Sequence, residues 1–193
     1  MISVPFERVS RQFRDRETAD SSARTREQTP AGGEETEAVR ARLLDAIAYG
    51  TIGGLIATLS MTTFRMPTSK SLPPTAEFWA KFVGSGEPGD YPATALLLHL
   101  LYGIGGGIVF ALLRPGKGDP EAAAEAKAAL LGTVYGAALS VFGSRVVLEG
   151  VLGVTPDRDE RLVFHISHII YGLTLGTWVG SRFGVEQLRS RDW

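Results

Sequence analysis

Four separate apolar blocks constrain this chain more than any other feature. They cover residues 43–64, 93–113, 128–147 and 162–181. Each is roughly 20 residues long, so as a helix each is about 30 Å long, the thickness of a bilayer's hydrocarbon core. The first reads "LLDAIAYGTIGGLIATLSMTTF" and the second "ATALLLHLLYGIGGGIVFALL". Each is apolar around its whole circumference, unlike an amphipathic helix of a soluble protein. Four such helices in water would have no polar face to expose. The blocks therefore predict an all-α, integral membrane four-helix bundle, with the bilayer as its first partner.

The chain's hydrophobic content of 44% conceals this partition. Residues 1–42 are polar and charged, and 14–38 have no apolar period; Phe6, Val9 and Phe13 fall at helical spacing, but Pro5 and the short length weaken a helix there, so a disordered N-terminal tail is expected. Residues 183–193 form a short C-terminal tail, and 43–182 the membrane domain. "MISVPFERVSRQFRDRE" lacks the apolar core of a signal peptide, so insertion is expected to begin with the first block. The net charge of −1 provides no general attraction to nucleic acid, and none is expected as a partner. The absence of cysteine excludes disulfides, Cys-ligated zinc and iron–sulfur clusters.

Four spans place both termini on one side. That side carries Arg40, Arg42, Arg114, Lys117, Lys127, Arg182, Arg189 and Arg191; the other carries Arg65, Lys70, Lys81, Arg145, Arg158 and Arg161. The excess predicts cytoplasmic termini in the cell membrane. Between the first two spans, "SLPPTAEFWAKFVG" predicts a short interfacial helix. Thr75 is its expected cap, and Phe78, Trp79, Phe82 and Val83 lie on one face.

Every block contains a Tyr-Gly pair: Tyr49-Gly50, Tyr102-Gly103, Tyr135-Gly136 and Tyr171-Gly172. Steps of four from these pairs trace one helix face. They pass through Ala46, Gly50, Gly54 and Thr58, then His99, Gly103, Gly107 and Ala111. In the later blocks they pass through Gly132, Gly136, Ser140 and Ser144, then His168, Gly172, Gly176 and Gly180. Small residues at this spacing let helix backbones approach closely, which holds helices together in lipid. Gly50, Gly54, Gly103, Gly107, Gly136, Gly172 and Gly176 are thus the expected packing positions. The alternation of plain and histidine-headed stripes suggests two tandem helix hairpins in a parallel repeat. The stripes also offer a surface for a second copy or another membrane protein.

The three histidines, His99, His165 and His168, all lie within spans. Ionisable groups there face the bundle interior. Tyr102, Tyr171 and His165 are expected as interior polar groups, hydrogen-bonded to neighbouring helices. His99 and His168 sit at matching depth in the even spans and are the candidate cofactor-binding pair. A haem with two imidazole axial ligands is the sharpest use of that pair, hydrogen bonds that lock the bundle are the simpler one, and a proton relay or ion site through His99, His165 and His168 is a third. No third or fourth ligand is evident within the membrane, Glu149 being the nearest, so no metal site is expected. Arg65 and Arg145, at the outer ends of their spans, are expected to snorkel toward phosphates.

With these motifs in place, the chain resembles small multi-pass membrane families of archaea and bacteria. Their first span carries "GxxGG…M" and their later spans "HxxYG". The matching residues here are Gly50, Gly53, Gly54 and Met61, then His99, Tyr102 and Gly103, then His168, Tyr171 and Gly172. Those families have no assigned activity, so the resemblance implies an architecture and no chemistry. Three classes of function fit the pattern: a structural or interaction protein, a small transporter or channel component, and a haem-binding redox subunit. The spans carry no deep acidic residue and no nucleophile with a base, which argues against proton-coupled transport and against an enzyme.

Overall fold

The computed structural model describes residues 31–68, 72–113 and 121–189. Five α-helices account for most of them. They are α1 (Ala31–Thr68), α2 (Thr75–Phe82), α3 (Pro92–Leu113), α4 (Glu121–Phe142) and α5 (Arg158–Arg189). Four of the helical segments are long and apolar enough to cross a membrane: Glu35–Thr68, Pro92–Leu113, Ala124–Leu152 and Arg158–Arg182. The protein is an all-α four-helix bundle of multi-pass membrane type. Only 28% to 44% of the residues in each apolar window are buried inside it. The outward faces carry Leu97, Leu101, Val109, Leu130, Val134 and Val141, a surface that lipid accepts and water does not.

Residues up to Arg42 and residues from Leu43 onward are two units. The expected disorder of residues 1–30 and the last tail residues 190–193 lie outside the described residues. Residues 31–42 differ from that expectation, because α1 begins at Ala31, well before its apolar block. Alanine, glutamate and arginine are strong helix formers. Glu35 and Glu37 also stand near the positive end of the helix dipole.

α4 continues as π-helical turns over Gly143–Leu152 and ends at Gly153, whose φ of 74° only glycine adopts easily. Its span thus runs past the predicted end at residue 147. Glu149 on these turns pairs with Arg161 at the start of α5, 3.3 Å away.

α2 has the predicted exposed apolar face, with Phe78, Phe82 and Val83 outward and Ala76 buried. Its attachment differs from expectation. Thr75 does not cap it; Pro74 takes the cap position, and Thr75 Oγ1 donates to the Ala95 carbonyl on α3 at 2.7 Å. Lys81 Nζ donates to the Val151 and Leu152 carbonyls at 2.9 Å, satisfying free acceptors at the end of the π turns.

Candidate functional site: the polar interior

Two seams of small residues form the bundle. In the first, α1 and α3 run antiparallel. A side chain on Gly54 would come within 2.6 Å of the Gly103 carbonyl, and one on Gly50 within 2.5 Å of the Ile108 Cα. Gly107 lies against Gly50 and Gly54, and Gly103 against Thr58. In the second, α4 lies against α5: Gly132 meets Gly172 and Gly176, Gly136 meets His168 and Gly172, and Gly176 meets Ala128. All seven packing glycines sit where backbones nearly touch. The two seams do not share a register. Gly50 stands opposite Gly107 in the first, whereas its motif counterpart Gly136 stands opposite His168 and Gly172 in the second, not Gly176.

Tyrosines tie the two seams together. Tyr171 on α5 donates to the Gly103 carbonyl at 2.6 Å, and Tyr135 on α4 donates to the Gly106 carbonyl at 2.9 Å. Both land on the glycine run of α3, where no side chain shields the carbonyl's second lone pair. Beneath them lies the apolar core of Ala57, Met61, Phe110, Tyr171, Leu175 and Val179. Tyr102 differs from its expected inward placement: it is 49% exposed, on the outer side of α3. The inward stripe of α3 runs through Ala95, His99, Gly103 and Gly107, and Tyr102 stands one residue off it; Tyr171 has the same offset on α5 but is buried, because α5 also buries the neighbouring line of Tyr171, Leu175 and Val179.

His99 and His168 are both buried, each 7% exposed. They lie within electrostatic reach of one another and of Arg65. His168 Nδ1 is 2.8 Å from the Phe164 carbonyl. A carbonyl only accepts, so Nδ1 carries the proton and Nε2 the lone pair. The ring packs against Phe164 with centroids 4.3 Å apart. His165 is half-buried, its Nδ1 2.9 Å from Ser140 Oγ. That hydroxyl donates to the Ala137 carbonyl at 2.7 Å, so His165 Nδ1 is the donor to it. His165 also lines an open groove of about 600 Å³ with Pro156, Asp157, Arg158, Arg161 and Leu162.

Arg65 does not snorkel. It is 9% exposed, on the inward stripe of Thr58 and Met61, and within electrostatic reach of Glu160. Arg145 is exposed, as a snorkelling side chain requires. Opposing backbone stands close at Gly136 and Gly172, and Thr58 at Gly103. Among the described residues, no group of three or more His, Asp or Glu is placed to hold a metal ion.

Ser140 lies on the traced stripe and Tyr135 carries the same Tyr-Gly pair as Tyr171, but the sequence did not single out their partners, and it carried no signal for Thr62. Comparison with protein-family models, with curated proteins and with solved structures finds no match.

Proposed function

We propose that this chain is a structural or interaction protein of the cell membrane, with both termini in the cytoplasm, that docks a second transmembrane helix on the outer face of α3. Tyr102 carries this reading. It stands near the middle of a span, half-exposed, and its hydroxyl has no hydrogen bond to another described residue. It lies within electrostatic reach of Tyr135 and Tyr171, and a half-exposed phenol in hydrocarbon is costly unless a neighbour accepts its proton. One turn further on, Gly105 is exposed, and a side chain there would meet nothing within 4 Å. A small residue beside a polar one is the usual composition of a helix–helix contact in lipid. The inward glycines are used within the bundle, and this outer face offers a small residue to a partner, a second copy first.

The chain has no cysteine, so single-cysteine cross-linking has no background. Gly105→Cys is expected to form a disulfide-linked dimer in native membranes, and Val141→Cys, on the exposed face of α4, is not. Equal cross-linking at the two positions would contradict docking through α3. The haem reading makes a separate demand, a Soret band in the purified protein that is lost in His99→Ala and in His168→Ala.

A further inference from the structure

Four hydroxyls of α1 share one habit. Thr58, Ser60, Thr63 and Thr68 each donate to the carbonyl four residues earlier, which satisfies a helix hydroxyl without leaving its own helix. Thr62 does not. Its Oγ1 is enclosed and has no partner among the described residues. The same holds for Nε2 of His99, a residue only 7% exposed. An apolar interior makes each unpaired group costly.

The two groups belong to one place. Thr58 packs on Gly103 in the antiparallel α1–α3 seam. One further turn along each helix sets Thr62 opposite His99. His168 adds a third group: its Nδ1–H is committed to the Phe164 carbonyl, its Nε2 is an acceptor, and its ring lies within electrostatic reach of His99.

We propose that this junction of α1, α3 and α5 is a binding site for one internal water, held by Thr62 Oγ1, His99 Nε2 and His168 Nε2. Water fits because it donates and accepts at once. One O–H goes to the His168 lone pair, and the oxygen accepts from the Thr62 hydroxyl. The remaining hydrogen or lone pair serves His99 in either tautomer. Buried waters typically make about three such bonds. The water links two imidazoles from different hairpins into one hydrogen-bonded unit. This site is independent of the docking face at Tyr102.

Histidine-labelled protein in micelles tests it, by magnetisation transfer from the water resonance to the His99 ring protons. The peaks are assigned by comparison with His165→Gln and His99→Gln. The expected result is a transfer peak at His99 with the sign of a long-lived bound water. Thr62→Val is expected to weaken that peak and lower the unfolding midpoint, and Thr62→Ser to retain it. No transfer at His99 in the parent would overturn the proposal. So would a higher midpoint in Thr62→Val, because removing a dry, unpaired hydroxyl stabilises. If Thr62→Val does not fold, the parent and Thr62→Ser decide.

Discussion

A methyl group added at Gly103 would overlap Thr58 Oγ1 across the first seam, while one at Gly105 would meet nothing within 4 Å. Gly103→Ala is therefore expected to cost about 1–3 kcal/mol, the usual range for overpacking. Adding Thr58→Ala should recover part of that loss, since the two side chains compete for one space. Thermal unfolding in detergent measures both, and full additivity of the pair would contradict the contact. Tyr171→Phe removes the bond to the Gly103 carbonyl and should cost about 0.5–1.5 kcal/mol. Tyr102→Phe should leave the stability of an isolated chain nearly unchanged; a loss as large as that of Tyr171→Phe would place the Tyr102 hydroxyl inside. At this scale the glycines were legible, because a step of four is the geometry of a helix face. Tyr102 was not, because Tyr171 stands at the same offset from its glycine and is buried while Tyr102 is half-exposed: how wide a face each helix buries depends on its neighbours in the bundle. Arg65 was not either: at the end of a span, the facing of a side chain depends on where the neighbouring helices reach.

Between the spans, α2 shows how far an element can be read without its attachments. Two prolines, a run of aromatics and a closing glycine marked the helix and its outward face. Nothing in that pattern showed that Thr75 would bond across to α3, or that Lys81 would reach the end of the π turns. Those partners are 20 and about 70 residues away, and only the packed bundle brings them close. Lys81→Met keeps the stem and removes the donor. It should speed amide hydrogen exchange in Gly143–Leu152, because two end carbonyls lose their partner. Unchanged exchange there would mean that Glu149 and Arg161 hold those turns unaided. The π turns themselves had no advance signal beyond Gly143 and Gly153; their widened register comes from packing, with Gly143 against the Phe164 ring.

For the whole molecule, hydropathy alone determined the architecture: four lipid-length apolar segments permit few arrangements, since lipid forces each backbone to satisfy itself. The pairing of helices followed from the stripes, and the register did not, because small residues every four positions allow a seam to slide by whole turns. That freedom explains how Gly136 faces His168 while Gly50 faces Gly107. The burial of His99 and His168 is a product of the same stripes, which they head, and the bonds of each ring depend on atoms the stripes do not reveal. The central claim is the crossing of all four helices. Single cysteines at Glu37, Gly89, Gly118 and Asp157, tested with a membrane-impermeant maleimide on sealed vesicles of either orientation, address it most directly. Alternation is expected: Glu37 and Gly118 labelled from the cytoplasmic side, Gly89 and Asp157 from the other. Gly89 and Gly118 labelled from the same side would mean that α3 does not cross, and would contradict the four-span bundle.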